Sequence, residues 1–505
     1  MQRKITDNLL IFLVFSSAVY YFSLITADPD LWGHIKFGED LWLSKSFPWV
    51  DTYSFTAYGR EWFNHEWLSE LIMYLVFHFF GSSGLLIGKL FIGLSIVFLL
   101  FKICRYRTDN VLIYGIVFVI AISIISPGFM TRPQVVTFLF VCIYLFVFHL
   151  FFERRKNLLW LLPPIMILWV NMHGGFLIGA GMLPVVLLSE LFFGELKERK
   201  RRYFLTLLFW FILTEVAILA NPYGYRLLVF LYKTLSLPRN ISEWESINLL
   251  NLDYLRFKLF ALSVLLVLFI RTGEKRCWEI SIIFISLIFA LRTQRHTPIF
   301  AIVAAPHLVE HLSVIEKKID ILGKVKSFIP SLVLNLFLAV LILYQLAQPL
   351  RNYIHYGFHI IVDPRIYPVY AVHFLKKNGF NGNILLPFEW GEYVIWKMHS
   401  KSKVSIDGRF RTVYPEEVIT AHFDALRSKK GWTELLDKYP SDILLSKRNV
   451  FSENMRKDRD DWIYIYSDNL SMIFIKNRGS QERVIEKLKR KKIAYPNEAL
   501  SLFFP

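Results

Sequence analysis

The residues best suited to chemistry lie in Asp28-Pro29-Asp30-Leu31-Trp32-Gly33-His34. Asp30 and His34 are four positions apart, so a helix through them sets both on one face. A carboxylate and an imidazole so placed can act as a general base and its partner, and Asp28 with Asp30 could hold a divalent cation such as Mg or Mn. A structural reading competes. Asp28 would cap a helix, Pro29 would open it, and Asp30 would complement its dipole. That reading accounts for the first three residues but not for His34 or the tryptophan. Catalytic candidates are therefore Asp28, Asp30 and His34.

A second group could bind substrate or phosphate. Asn64-His65-Glu66-Trp67 reads either as a capped helix start with a tryptophan at the lipid headgroups or as part of a polar cluster through His65 and Glu66. Arg132, in Arg132-Pro133-Gln134, and Arg295-His296 stand at the ends of apolar runs. There arginine either snorkels to the headgroups or clamps a phosphate with its planar fork. His173 precedes Gly174 and Gly175 at another such end, where a tight turn is the structural alternative. Glu215 falls inside an apolar run and could serve function or pair with an arginine. Glu243-Trp244-Glu245 reads as an interfacial segment, and Asp407-Gly408 as a turn after a strand.

The elements that must position these residues are mostly membrane helices. The chain has 505 residues, 54% of them hydrophobic, a mean hydropathy of +0.41 and a net charge of +17. Its positive residues sit in short runs between apolar segments, which points to membrane sidedness and anionic lipid rather than to nucleic acid. The first apolar run follows Arg3 and Lys4 without a small-residue cleavage site, so it is expected to be an uncleaved anchor with a cytoplasmic N-terminus. Cys104, Cys142 and Cys277 have neither disulfide-framework nor zinc spacing.

If residues 68–80 form an interfacial or re-entrant helix, the basic runs 102–107, 153–156, 197–202, 271–276 and 317–326 all fall on the cytoplasmic side. The expected spans are then roughly 7–26, 84–103, 110–127, 134–152, 157–172, 175–193, 203–220, 258–271, 278–292, 297–312 and 329–347, about eleven in all. The same arrangement puts every unusual polar motif between spans on the outer side. After residue 348 the character changes: strand-like runs at 383–388, 403–407, 442–445, 462–466 and 471–476 alternate with helical stretches at 368–378 and 415–426. The expected organisation is an α-helical polytopic membrane domain over 1–348 and an extracytoplasmic α/β domain over 349–505.

The sequence contains no phosphate-cradling glycine loop, no Gly-x-Ser-x-Gly elbow and no His-Glu-x-x-His. A soluble nucleotide cofactor is not indicated. A multi-pass chain with an acidic motif after its first span, interfacial helices in a long first outer loop and a C-terminal soluble domain resembles the GT-C superfamily of membrane glycosyltransferases. More narrowly, Asp28–His34, Pro48–Ala57, Asn64–Trp67, Trp390-Gly391-Glu392-Tyr393 and Ile406-Asp407-Gly408-Arg409 resemble a set of bacterial membrane proteins with the same layout.

The resemblance implies a bacterial cytoplasmic-membrane enzyme that takes sugar from a polyprenyl-phosphate donor at the outer face. Asp28 or Asp30 stands where such enzymes carry the base or metal ligand. The acceptor would be a glycan, lipid or protein. The Trp-Trp-Asp-Tyr-Gly signature of oligosaccharyltransferases is absent from the sequence. Two alternatives are a flippase for lipid-linked sugars, which would need polar residues through the helix centres, and a non-catalytic subunit of an envelope polysaccharide assembly.

Overall fold

The computed structural model describes residues 2–193, 198–235, 237, 242–270, 276–319, 330–426, 434–458, 460–477, 486, 490 and 502–505. Parts of the basic runs 197–202, 271–276 and 317–326 lie outside the described residues. In chain order the helices are α1 Gln2–Phe22, α2 Leu31–Ser44, α3 Trp67–Arg107, α4 Val111–Ile125, α5 Gln134–Phe152, α6 Leu162–Val170, α7 Phe176–Phe193, α8 Glu198–Ala217 and α9 Tyr225–Leu235. They continue with α10 Leu255–Ile270, α11 Cys277–Arg292, α12 Thr297–Ile319, α13 Ser331–Tyr356, α14 Val369–Asn378, α15 Gly391–Met398, α16 Glu416–Leu426, α17 Glu434–Lys438 and α18 Val450–Asp458. Each of the expected spans coincides with a helix. Among the described residues 7 helical segments are long and apolar enough by themselves to cross a bilayer. The remainder, over 159–170, 198–217, 255–270 and 277–292, are shorter or carry charge at one end.

Helix α3 is not continuous: Gly81 sits at φ 62, outside helical space, so residues 67–80 and 82–107 are separate helical segments. The chain forms two compact units that divide near this point. One comprises Met1–Leu24 and Leu85–Phe358, the other Ile25–Gly84 and His359–Pro505. The expected cut at 348/349 follows sequence order, whereas the first polar loop, residues 25–84, belongs by its contacts with the C-terminal residues.

In the helical unit α1 packs on α4 and α13, and α12 on α4, α5, α10 and α11. Polar side chains hold α1 to α13, as expected where helices cannot gain from expelling water. Thr6 donates to Asn335 (2.7 Å), Ser16 to Gln345 (2.6 Å), and Gln345 to Ser17 (2.8 Å). At one end of the bundle Arg107 bridges Glu153 of the α5 terminus and Glu279 of α11, each at 2.6 Å. Arg276 reaches Glu310 of α12 at 2.6 Å. These buried pairs tie four helices together.

The second unit is built on a five-stranded sheet, β1 Gly382–Leu385, β2 Ser402–Val404, β3 Ile443–Lys447, β4 Trp462–Ser467 and β5 Ser471–Lys476, ordered β2-β1-β3-β5-β4. Strand β1 runs parallel to β2 and β3, and β5 is antiparallel to β3 and β4. Apolar residues of β1, β3 and β5 bury against Leu436, Phe451 and Met455. The loop 25–84 joins this body through backbone bonds: Ala27 N–H donates to Ile361 O (2.8 Å), and Ile361 N–H to Ile25 O (2.7 Å). Trp32, fully buried, lies within 4.7 Å of the Tyr367 ring and 5.0 Å of Tyr393.

His422 of α16 is buried with both ring nitrogens unpaired among the described residues, and burial pushes its pKa down to about 4. The unfolded chain therefore binds a proton below about pH 6.5 that the folded unit rejects, so stability falls as pH drops from about 6.5 to about 4. The loss is expected to approach ~3 kcal/mol. Hydrogen exchange of β1 and β3 at several pH values measures it. A His422→Leu profile that declined as steeply over this range would remove His422 as the cause.

Candidate active site

Strands β1 and β2 end side by side, and the segments that follow them, 386–392 and 405–409, lie at the carboxyl ends of parallel strands, where α/β sheets commonly place ligands. Onto this edge the loop 25–84 brings the acidic motif. Asp28 is buried and its Oδ1 accepts the Asp30 N–H at 3.0 Å, while its carbonyl accepts Leu31 N–H at 3.1 Å. Helix α2 thus begins at Leu31, not at Pro29, and Asp30 is its N-cap residue. The Asp30 side chain makes no capping hydrogen bond. It is also only half-buried. The two aspartates therefore separate: Asp28 shapes the turn, and Asp30 presents a carboxylate at the positive end of a helix.

Beside Asp30 stands a carboxyl group that spacing alone did not single out. Glu392, in the first turn of α15, is 3% exposed, and its Oε2 accepts the Gly33 N–H at 3.1 Å. A Cβ placed on Gly408 would lie 2.5 Å from Asp30 Oδ1 and 2.5 Å from Glu392 Oε1, so those oxygens are at most twice that distance apart. Gly33 likewise leaves no room for a Cβ against Glu392. A side chain at either glycine would displace the Glu392 carboxyl. Burial first, then the Asp30 and Asp407 charges, raise the Glu392 pKa well above the ordinary carboxylate range, with Arg409 opposing. Glu392 holds its proton where an ordinary glutamate loses it. Its raised value means that the associated stability is intact below the ordinary glutamate pKa and is lost as pH rises through the folded one. Glu392→Gln, isosteric and neutral, should flatten that decline of melting temperature with rising pH; identical wild-type and variant curves would rule out Glu392 as its source.

Asp407 and Arg409 are a buttress. Arg409 is buried, with Nη1 2.6 Å from Asp51 Oδ1, Nη2 2.7 Å from Asp407 Oδ2 and Nε 2.8 Å from Asp407 Oδ1. The Tyr414 hydroxyl donates to Asp407 Oδ2 at 2.6 Å, and the Trp62 and Tyr53 rings stand 4.8 and 5.0 Å from the guanidinium. Asp51 also accepts from the backbone N–H groups of Tyr53 and Ser54, each at 3.1 Å. The Asp-Gly turn read from sequence is present, closed by Phe410 N–H to Asp407 O at 3.2 Å.

His34 is buried, and its Nδ1 stands 3.7 Å from Glu70 Oε1, a carboxylate that also accepts from Asn64 Nδ2 at 2.6 Å. Burial works against the imidazolium, but Glu70, Glu66 and Asp30 outweigh it and raise the His34 pKa. His65 Nε2 is 3.9 Å from Glu66, and the Glu66 N–H donates to Asn64 Oδ1 at 3.2 Å in a turn just before α3, which begins at Trp67 rather than being capped by Asn64. Among the described residues no group of three His, Cys, Asp or Glu side chains is arranged to hold a metal ion. Asp28, committed to its turn, and Asp30 do not by themselves make a cation cage, so no catalytic step is assigned to a metal.

The remaining candidates lie in the helical unit. Arg132 and Arg295, 163 positions apart in sequence, both reach Glu243, at 3.4 and 3.6 Å. Arg295 also stands over the Trp244 ring at 5.5 Å, and the His296 ring is 6.2 Å from that indole. Glu243-Trp244 is therefore more than an interfacial segment: it gathers the two arginines. His173 is held by Thr137. Its Nδ1 is 2.8 Å from Thr137 Oγ1, and Trp169 Nε1 donates to the same hydroxyl at 2.9 Å. Gly175 is needed there because a Cβ would strike Thr137 and His173.

No family model and no curated protein matches the chain. Solved structures do. The archaeal oligosaccharyltransferase AglB from Archaeoglobus fulgidus, in complex with an inhibitory peptide and a dolichol-phosphate, aligns with 89% of this chain and 70% of its own. The TM-score is 0.58 at 12% identity. ArnT from Cupriavidus metallidurans, bound to undecaprenyl phosphate, aligns over 94% of this chain and 99% of its own, with a TM-score of 0.51 at 11% identity. The chain has a GT-C-like fold. It is a multi-pass membrane protein with a small C-terminal sheet domain, as the layout of spans and tail implied. Within that GT-C-like fold the residue missed from sequence was Glu392. An acid in the first turn of a mostly apolar helix, beside Trp390-Gly391, was the available signal.

Proposed function

We propose that the protein is a membrane glycosyltransferase that moves a sugar from a polyprenyl-phosphate carrier to an acceptor hydroxyl at the outer face of a bacterial cytoplasmic membrane. The observation that carries this reading is the fold likeness, over most of the chain, to AglB and ArnT, each solved with a polyprenyl-type phosphate. In this reading Asp30 is the general base. The acceptor oxygen attacks the anomeric carbon and a new carbon–oxygen bond forms. The bond from that carbon to the phosphate oxygen breaks, its electron pair leaves on the phosphate, and the acceptor proton passes to Asp30. A single displacement of this kind inverts the anomeric configuration.

Glu392 lies beside Asp30, and burial together with the Asp30 and Asp407 charges favours its neutral form. Against the opposing effect of burial, Glu70, Glu66 and Asp30 raise the His34 pKa, which favours the imidazolium four residues on. Within the helical unit by itself, Arg132 and Arg295, gathered by Glu243, make a candidate clamp for a phosphate. Glu243, half-exposed, spaces them and leaves the trio with net positive charge.

The test is transfer by purified full-length protein from a panel of polyprenyl-phosphate sugars to glycan and lipid acceptors, following release of polyprenyl phosphate. Wild type should turn over and Asp30→Asn should not. Equal rates from the two proteins would remove the assignment.

A further inference from the structure

We propose that a depression at the end of α5, bounded by Tyr106, Leu150 and residues 153–156, binds the phosphate of an anionic glycerophospholipid headgroup. The depression has a volume of about 380 Å³, enough for a phosphoglycerol group. It lies where the apolar run of α5 stops at Phe152, which sets it at headgroup level for a helix of spanning length.

Three consecutive cations, Arg154, Arg155 and Lys156, line it and are exposed, and none of them forms an ion pair among the described residues. Among the described residues the one acid in the lining, Glu153, is already neutralised from within. It is 2.6 Å from Arg107, 3.2 Å from Arg276 and 2.9 Å from His149. The charge facing the depression is therefore strongly positive.

The helix dipole alone favours a cation at a helix C-terminus, but it does not explain how these are held. Arg154 stands over the Tyr106 ring at 4.3 Å, and that ring stacks on His149 at 5.3 Å. Arg155 takes a left-handed backbone conformation, φ 54, which turns the chain sharply. Leu150 O accepts from both Arg154 N–H (3.2 Å) and Lys156 N–H (2.9 Å), closing the turn. A phosphate diester is the chemistry this arrangement fits: fork donors on an aromatic floor, with an ammonium alongside. Free phosphate shares that chemistry, but lacks acyl chains to hold it at the edge of an apolar helix.

Native mass spectrometry of the full chain in neutral detergent tests this, with phosphatidylglycerol, phosphatidylcholine and inorganic phosphate as separate probes. Phosphatidylglycerol should be retained roughly tenfold or more over phosphatidylcholine, and Arg154→Gln with Lys156→Gln should cut that preference about tenfold. Equal retention by wild type and double variant overturns the site. Displacement of the lipid by millimolar inorganic phosphate overturns the lipid assignment. Hydrogen exchange on the wild type is an independent arm. Phosphatidylglycerol should protect residues 150–156 and phosphatidylcholine should not, and equal protection also overturns the proposal.

Discussion

Asp30→Asn is expected to lower glycosyl transfer by ~10²–10⁴-fold while leaving the folded protein intact, because it removes the general base and keeps the side chain's size and shape. The structure separates this residue from its neighbour. Asp30 is half-buried and makes no capping bond, so the amide occupies the same space and breaks no hydrogen bond that starts α2. Asp28 accepts the Asp30 N–H from a buried position, so Asp28→Asn should cost stability and expression before it costs chemistry. The comparison to make is the rate at saturating donor beside the melting temperature for each variant. An Asp30→Asn protein with wild-type rate, or one that fails to fold while Asp28→Asn works normally, would reverse the assignment. Asp30→Glu offers a finer reading. The longer carboxylate would collide with Glu392 across Gly408, so it should restore only part of the activity.

Arg409→Met should be the most damaging single substitution in the second unit, costing ~3–5 kcal/mol by leaving Asp51 and Asp407 buried without their counter-charge. Burial alone would discourage the Arg409 charge, but Asp407 and Asp51 outweigh it and raise its pKa well above the ordinary value. Arg409→Lys should be nearly as harmful, since one ammonium cannot reproduce fork contacts to two carboxylates while filling the space beside Trp62 and Tyr53. Because the loops 51–54 and 405–414 share this guanidinium, the loss should appear as faster hydrogen exchange in both. Wild-type protection in either loop of the Met variant would show that the ion cluster is not what holds them. The same substitution should reduce transfer, since Gly408 lies between Asp407 and Arg409 and abuts Asp30 and Glu392.

Much of the architecture is legible in the amino-acid sequence because the signals are local. Apolar runs of bilayer length, broken by short basic stretches, mark the helices, and short apolar runs rich in β-branched and aromatic residues after residue 348 mark the strands of the sheet. The acidic motif stands out because acids and a histidine immediately after an apolar anchor are costly without a purpose. Its division of labour was not legible. Capping geometry at Asp28 and Asp30 turns on where the helix begins, and the difference between Pro29 and Leu31 is set by backbone angles that composition does not encode.

Tertiary structure alone decided which distant residues meet. Glu392 lies 362 positions after Asp30, and no periodicity links them; they are neighbours because the loop 25–84 is paired with residues 359–362 and laid on the carboxyl ends of β1 and β2. Arg132, Glu243 and Arg295 likewise come from separate interhelical turns brought together by helix packing. Sequence determines helices and strands through spacing within a few turns of chain. The carboxyl pair and the arginine cluster depend on contacts between segments 52 to 362 residues apart, and those are fixed only when the helices and the sheet have packed.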